Sequence, residues 1–297
     1  MKIGFGVPVA GSWATPDNMK QVARRAEELG YDGLWNFQRL LYVEGLPPTY
    51  RSVHDPLVQL SYLAAVTERI RLGVAVLNLP FFAPALLAKQ LATLQEVSGG
   101  RLDAGLGLGS QEHELVAVGV PKERRGRRAD EYLELLHRLL AGGPVEHRGE
   151  FYQVPASEFA PAPAIAPPLL LGGSARPALE RAGRLADGWI SSSRADLSAI
   201  DQQIEIVREA ARQAGRDPGA LRFIVRGVTL VRDEDGGPLT GSYDKIRRDV
   251  EALAAKGITE VFHDLNFDPE IGSPDADPRE SMRRAEEALR ELAPSAG

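Results

Sequence analysis

Short apolar segments alternate along this chain with longer amphipathic segments, a pattern that predicts strands followed by helices. The apolar segments are hydrophobic at nearly every position, as in GVAVLNL and PLLLGG. Such strands are typical of a parallel sheet that helices cover on both faces. The pattern predicts eight strands, at residues 2–9, 33–37, 71–78, 102–108, 168–171, 188–191, 222–231 and 260–265.

The amphipathic segments begin with helix-start signals. In TPDNMKQVARRAEELG, Thr15 is a capping residue, Pro16 suits a first turn, and apolar residues recur at helical spacing. Asp55 and Pro56 begin another segment in the same way. Eight strand–helix units predict an α/β fold, a (β/α)8 TIM barrel. A doubly wound open sheet is the alternative, because the sequence does not show whether the sheet closes.

One stretch interrupts the alternation between the fourth and fifth strands. Residues 111–167 contain a predicted helix at about 124–140, a predicted hairpin at 145–154 and the Pro/Ala-rich tether ASEFAPAPAIAPP. A long insertion after the carboxyl end of a strand is typical of a lid or a partner surface. We therefore expect residues 1–297 to form a single barrel domain that carries residues 111–167 as an insertion.

Composition narrows the classes of function. The 297 residues carry a formal net charge of −6, which gives no electrostatic support for binding nucleic acid or a membrane surface. The chain has no cysteine, which excludes disulfides and thiolate chemistry and fits a reducing compartment. No segment approaches the roughly 18 apolar residues of a membrane span. We expect a cytoplasmic protein.

The residue types at the predicted strand ends argue against several reactions. The five histidines form no H-x-H pair, so we expect no catalytic metal. None of these ends carries the lysine of a Schiff-base aldolase, and no G-x-S-x-G elbow is present. What remains is a glycine-lined pocket with few titratable groups. Such a site is typical of proteins whose cofactor supplies the chemistry.

The fourth predicted strand ends in DAGLGLGS, with glycines at three alternate positions. A dinucleotide-binding motif would need a third glycine where this chain has Ser110. The segment therefore does not match that motif, although its glycines indicate a close approach to another group.

Two segments of the chain resemble the luciferase-like monooxygenase superfamily, and in particular the branch that uses the deazaflavin coenzyme F420. They are RIRLGVAVLNLPFFAPALLAKQLATLQEVSGGRLDAGLGLGS and PPLLLGGSARPALERAGRLADGWISSS. The resemblance implies a (β/α)8 barrel that binds F420 or FMN at the mouth formed by the carboxyl ends of its strands. It implies an F420-dependent oxidoreductase that moves a hydride between the deazaflavin and a small organic substrate. The alternatives are an FMN-dependent monooxygenase supplied by a separate cofactor reductase, and a non-catalytic flavin- or deazaflavin-binding protein.

The same resemblance implies that the third and fourth strands contact the cofactor ring. Similar proteins have a non-prolyl cis peptide at the position of Ala75 and Val76, which forms a bulge behind the ring, and Asn78 ends that strand. Gly107 and Gly109 would let the backbone approach the ring where a Cβ would collide. The alternative is that alternate glycines relieve crowding inside a narrow barrel.

A phosphate site is expected at Gly172, Gly173 and Ser174, in the turn LLGGSARP. Ser174 is expected to cap a helix that begins near Pro177, so that free N–H groups and the helix dipole face the barrel mouth. The alternative is an ordinary turn between a strand and a helix.

The chain departs from the family pattern near the expected ring. Aligning LWNFQRL on the Asp-His pair of deazaflavin dehydrogenases puts Gln38 and Arg39 there. Ser110 replaces the usual tryptophan, whereas Glu114 matches a frequent family glutamate. We take Gln38, Arg39, His113 and Glu114 as candidate catalytic residues and Ser110 as a candidate cofactor contact.

Three aromatic residues, Trp13, Phe37 and Phe81, are expected to form an apolar wall for a small-molecule substrate. The basic run KERRGRRADE at 122–131 is expected either to contact a long acidic cofactor tail or to form salt bridges with Asp130, Glu131 or neighbouring helices. We also expect a homodimer, with helices near the second and third strands at the interface.

Overall fold

Eight parallel strands close into a barrel in the computed structural model, which describes residues 1–294. The barrel strands are β1 (Lys2–Gly6), β2 (Gly33–Asn36), β3 (Arg71–Asn78), β4 (Leu102–Gly107), β7 (Leu169–Gly172), β8 (Gly188–Ile190), β9 (Arg222–Val228) and β12 (Glu260–Asp264). Their order around the barrel is β1, β12, β9, β8, β7, β4, β3 and β2. Because β1 pairs with both β2 and β12, the sheet has no open edge. The TIM barrel is confirmed and the open sheet is excluded.

Helices follow the strands and form the outer layer. They are α1 (Pro16–Glu28), α2 (Pro56–Val66), α3 (Pro84–Val97), α4 (Glu112–Ala117), α5 (Arg125–Leu140), α6 (Arg176–Leu185), α7 (Ile200–Gln213), α8 (Tyr243–Ala255) and α9 (Pro278–Glu291). The predicted caps of α1 and α2 are confirmed, since Thr15 and Asp55 each accept a hydrogen bond from a first-turn amide. Among the helices of residues 1–294, none combines the length and apolar character needed to cross a bilayer.

Two predicted strands are three residues too long, whereas the other six agree with the structure to within one residue at each end. The strand expected at residues 2–9 ends at Gly6. The strand expected at 222–231 ends at Val228, and Leu230–Val231 (β10) pairs instead with Thr240–Gly241 (β11) in a separate two-stranded sheet. The break falls at Thr229, whose hydroxyl donates to the carbonyl of Gly227. Leu230 and Val231 are apolar as well, so the hydrophobic pattern predicts a longer strand than the structure has.

The segment between β4 and β7 holds α4, α5 and a hairpin of β5 (Gly143–Arg148) and β6 (Gln153–Phe159). Helix α5 packs between α3 and α6, so it lies in the outer helical layer of the barrel. The hairpin is attached to α5 through Glu131, whose carboxylate accepts hydrogen bonds from the amides of Phe151 and Tyr152.

The inside of the barrel is filled by Trp35 and Phe262, whose rings stack with centroids 5.1 Å apart. Glycines make room for the indole: a Cβ on Gly73 would come within 2.4 Å of the Trp35 ring, and one on Gly4 within 2.9 Å. The indole N–H donates to Glu260 over 2.8 Å. Together with the buried side chains of Leu170, Ile190 and Ile224, these two rings form an apolar layer between the two ends of the barrel.

A buried ionic network occupies the amino ends of the strands. Asp103 accepts hydrogen bonds from Arg71 and Arg222, and Arg222 also reaches Glu260 over 2.8 Å. Burial alone would raise the pKa of Asp103, but the hydrogen bonds from the two arginines outweigh it and lower that pKa below its ordinary value. The network therefore ties β3, β4, β9 and β12 together at this end.

We expect Asp103→Asn to lower the free energy of unfolding at pH 7 by about 3 kcal/mol, because it removes one partner of a buried ion pair. Since the folded-state pKa of Asp103 is lowered, its contribution is complete above the ordinary pKa of 3.8 and is lost as the pH falls through the folded-state value. Urea unfolding at pH 7 and pH 3 measures both effects. The exposed Asp201→Asn is the control, and equal stability of the two variants at pH 7 would contradict the prediction.

Candidate functional site

The carboxyl ends of the strands converge on a cavity of about 460 Å³. Many of the residues expected at the site from the sequence lie in its wall. They are Phe37, Gln38, Arg39, Ala75, Val76, Asn78, Gly107, Gly109, Ser110, Gly172, Gly173 and Ser174.

A bulge in β3 forms one part of this wall. The peptide between Ala75 and Val76 is cis, as predicted, and the register of β3 against β4 shifts between Val74 and Leu77. The backbone N–H of Asn78 donates to the side-chain oxygen of Gln38 over 2.8 Å. This hydrogen bond fixes the end of the bulged strand and occupies the side-chain oxygen of Gln38.

The alternate glycines of β4 face this bulge. A Cβ on Gly105 would come within 2.0 Å of the Val74 carbonyl oxygen, and one on Gly107 within 2.6 Å of the Val76 side chain. Crowding inside the barrel therefore requires glycine at both positions. This supports the alternative considered for Gly107, that alternate glycines relieve crowding inside a narrow barrel. Gly109 has a φ of +75°, a left-handed conformation that suits the turn after the strand.

Gly172 is the last residue of β7, and the turn at Gly173 and Ser174 leads from it into α6. The carbonyl of Gly173 accepts a hydrogen bond from the indole N–H of Trp189 over 2.8 Å, which anchors the turn to β8. The prediction that Ser174 caps the helix is wrong. Helix α6 begins at Arg176, its capping position is Ala175, and no side chain accepts a capping hydrogen bond there.

Arg226 of β9 is the most buried cation in the wall, with 8% of its surface exposed. Its Nε donates to Asp264 over 2.8 Å, and its Nη1 donates to the carbonyl of Ala75 over 3.0 Å. The guanidinium also lies 4.3 Å from the ring centroid of Phe37 and 4.6 Å from that of Phe267. The remaining nitrogen, Nη2, is buried without a hydrogen-bond partner.

Arg39 is held by a second carboxylate. Its Nη1 donates to Glu114 over 2.8 Å, and its guanidinium lies 4.3 Å from the ring centroid of Tyr50. The other oxygen of Glu114 accepts hydrogen bonds from the amides of Leu40 and Leu41. Glu114 is 1% exposed and lies behind Arg39, so it positions the arginine and its loop from outside the cavity wall.

Three other candidates also lie outside the wall of this cavity. Trp13 is fully buried, because it packs among the apolar side chains of the main hydrophobic core. Phe81 lines a separate groove beside Tyr152 of the hairpin. His113 is half-buried, and its ring contacts the carbonyl of Leu41.

Some wall residues escaped the sequence-based site assignment. Tyr50 and Arg194 are two of them, whereas Ser191, Ser192, Ser193 and Arg226 were expected at strand ends without an assigned role, and Arg125 only as part of the basic run. The signal for Arg226 was an arginine inside the apolar strand FIVRGV, which indicates a buried partner. Tyr50 gave no such signal, because it comes from a loop whose path the pattern does not predict. Within residues 1–294, no cluster of His, Asp or Glu is arranged to hold a metal ion.

Three cations of the basic run form ion pairs: Lys122 pairs with Glu112 of the neighbouring helix α4, as expected, whereas Arg124 and Arg127 pair with neither Asp130 nor Glu131. Arg124 and Arg127 both contact Glu150 in the turn of the hairpin, because that turn lies over the start of α5. Arg125 differs: it lines the cavity, and its Nη1 donates to the carbonyl of Gly109 over 3.2 Å.

The family model for luciferase-like monooxygenases matches residues 3–237. This chain belongs to the luciferase-like monooxygenase family. An uncharacterised protein of Mycobacterium tuberculosis is 35% identical to this family member over 222 residues, which cover 75% of this chain and 71% of the relative.

Two solved structures of similar fold cover 98% of this luciferase-like chain and 98% of their own. The monooxygenase RslO1 from Streptomyces bottropensis has a TM-score of 0.80 at 21% identity. An F420-dependent secondary alcohol dehydrogenase, in complex with an F420-acetone adduct, has a TM-score of 0.79 at 16% identity. At these identities, the two structures establish the shared fold.

We expect Glu114→Gln to lower the free energy of unfolding by about 1–3 kcal/mol, because an amide cannot accept from both Arg39 and the two loop amides. Urea unfolding measures the change. Glu112→Gln is the matched control, since Glu112 lies on the same helix and is exposed. We expect this control to stay within about 0.5 kcal/mol of wild type. Equal stability of the two variants would show that Glu114 does not hold the loop.

Proposed function

We propose that this chain is an F420-dependent oxidoreductase that transfers a hydride between the deazaflavin and a small organic substrate. The observation that carries the proposal is the cavity wall, which combines a bulged strand and glycines with four arginines. A planar ring fits against small residues, and the arginines and the turn after β7 suit phosphate groups.

The residues divide into two groups. Val76, Gly107 and the backbone of Ala75 would contact the ring, whereas the turn at Gly173 and the arginines Arg125 and Arg194 would contact the phosphate of the cofactor. When bound, F420 would supply the carbon that donates or accepts the hydride. Phe37 and Tyr50 would exclude water from that region, and their edge-to-face contact keeps both rings in place.

A similar F420-dependent secondary alcohol dehydrogenase supports this choice of cofactor and reaction. The chain itself differs from a dehydrogenase with an Asp-His pair, because Gln38 contacts the amide of Asn78 and Arg39 contacts Glu114. The protein would therefore orient the substrate rather than transfer protons through a histidine of the wall. We also propose that it works in the cytoplasm, which fits a chain without cysteine.

An FMN-dependent monooxygenase with a separate reductase is the second candidate. The same departure at Gln38 and Arg39 favours it, as does the similarity to the monooxygenase RslO1. FMN carries a ring and a phosphate but lacks the acidic tail of F420. A non-catalytic binding protein is the remaining alternative, and it would bind either cofactor without turnover.

We expect the purified protein to bind F420 more tightly than FMN, and the affinity for F420 to fall with added salt, because exposed charges are screened within about 10 Å at 0.1 M salt. Fluorescence titration with each cofactor at low and high salt measures both affinities. Arg125→Gln should weaken F420 binding about tenfold, the loss of one charged contact of about 1.4 kcal/mol. Arg127→Gln is the control, because Arg127 contacts Glu150 outside the cavity.

Tighter binding of FMN would overturn the choice of cofactor. Equal F420 affinities of the Arg125 and Arg127 variants would overturn only the role of Arg125. Binding of F420 without oxidation or reduction of any alcohol, ketone or aldehyde in a broad screen would favour the non-catalytic alternative.

We further propose that two chains form a homodimer through α2 and α3. These neighbouring helices expose Val58, Tyr62, Leu86 and Val97, which are large apolar residues. Exposed apolar side chains grouped on one face are typical of an interface between subunits.

Light scattering at micromolar concentration should give twice the chain mass of 32.2 kDa. Val58→Glu should shift the protein toward the monomer, because it buries a charge in the proposed interface. Val116→Glu is the control, since Val116 is equally exposed but lies on α4. A wild-type monomer under these conditions would contradict the dimer.

A further inference from the structure

The wall of the cavity is cationic although the chain is acidic. It contains Arg39, Arg125, Arg194 and Arg226, and none of its described residues is an aspartate, a glutamate or a lysine. The whole chain nevertheless has a formal net charge of −6. The carboxylates that hold Arg39 and Arg226 lie behind them, at Glu114 and Asp264, and both are almost fully buried. The cavity therefore presents arginine and no carboxylate to a ligand.

Arg226 retains binding capacity. Two of its nitrogens are engaged by Asp264 and the carbonyl of Ala75, while Nη2 is buried without an acceptor. A buried donor without a partner is unfavourable by about 1–3 kcal/mol. Nη2 is enclosed by the protein, so an anionic oxygen in the cavity would accept from it only after a small side-chain shift that brings Nη2 to the surface of the wall, and the hydrogen bond would then be charge-assisted.

Aromatic rings hold the two inner arginines in fixed places. Arg226 lies over Phe37 and Arg39 lies over Tyr50, while Phe37 and Tyr50 are in edge-to-face contact with centroids 6.0 Å apart. The same four side chains line the cavity. A ligand in this part of the cavity would thus meet apolar ring surface and guanidinium groups together, which suits an organic molecule with one anionic end.

We propose that the substrate is a small organic carboxylate whose carboxylate group is bound by Arg226, with Arg39 as the second cation. This inference rests on the proposed function, because it assigns to the substrate the part of the cavity that F420 would not occupy. Arg226 contacts Ala75, at the bulge proposed to contact the ring, whereas the proposed phosphate contacts are Gly173, Arg125 and Arg194. The carboxylate would therefore lie near the reacting ring rather than at the phosphate turn.

The test uses benzoate and benzamide, which share size and shape but differ in charge. Each is titrated into the full-length protein with and without saturating F420, and binding is followed by ligand-observed NMR at pH 7.5. Benzoate should bind at least tenfold more tightly than benzamide. This preference should persist with F420 present, because the cofactor would then occupy the outer arginines.

Arg226→Lys should reduce benzoate affinity about tenfold and leave benzamide affinity unchanged, because lysine keeps the charge but lacks the planar fork of donors. Arg226→Met is the second variant, since Asp264 would still accept from the amide of Asn266. Arg232→Lys is the matched control, because Arg232 forms a similar pair with Asp268 outside the cavity. Thermal unfolding verifies that each variant is folded.

Equal affinities of the wild-type protein for benzoate and benzamide would overturn the proposal without reference to any variant. It would also be overturned if a folded Arg226 variant kept the wild-type preference, or if saturating F420 abolished benzoate binding by competing for the outer arginines. A failure of the proposed cofactor is distinguishable. It would appear as absence of F420 binding, whereas benzoate would still discriminate between Arg226 and Arg232 variants in the cofactor-free protein.

Discussion

The indole ring of Trp35 inside the barrel constrains the structure on both sides of it. Neighbouring strands can carry only glycine where they face this ring, at Gly4 and Gly73, and Phe262 must stack on it. The layer separates the network around Asp103 at the amino ends from Arg226 at the carboxyl ends. Because the two groups of charges are kept apart, the carboxylates of the first network do not neutralise the arginines of the second.

At the carboxyl end of the barrel, the carboxylates that contact Arg39 and Arg226 lie outside the cavity wall. Glu114 fixes Arg39 together with two loop amides, and Asp264 fixes Arg226 together with Asn266. In each case the ion pair orients a guanidinium whose other face belongs to the cavity wall. A pair of this kind contributes to positioning as much as to stability, since much of the attraction offsets the desolvation of both charges.

The fold could be predicted because it rests on local regularities: buried strands apolar on both faces, and helix starts such as Thr15 and Asp55 whose side chains bond within one turn. Motif resemblance extended this to the bulge at Ala75 and Val76 and to much of the cavity wall. Side-chain partners far apart in the chain were not predictable. Arg39 contacts Glu114, Arg226 contacts Ala75, and Arg124 contacts Glu150. Each contact depends on tertiary packing, which residue spacing in the sequence does not predict. Ser174 failed as a cap because the capping position of α6 falls one residue later, at Ala175, whose side chain cannot accept a hydrogen bond.

The residue types in the cavity wall have a consequence for how the site responds to acidity. Imidazoles and carboxylates are the side chains that ordinarily change charge between pH 3 and pH 8, in the region of about 4 to 6.5. The described wall contains neither, and burial lowers the pKa of His263 behind it to about 4, which keeps that ring neutral at physiological pH. No side chain of the described wall therefore changes its own charge across this range. The protein groups that can alter the potential of the cavity are the carboxylates outside the wall, and the nearest are those that hold Arg39 and Arg226.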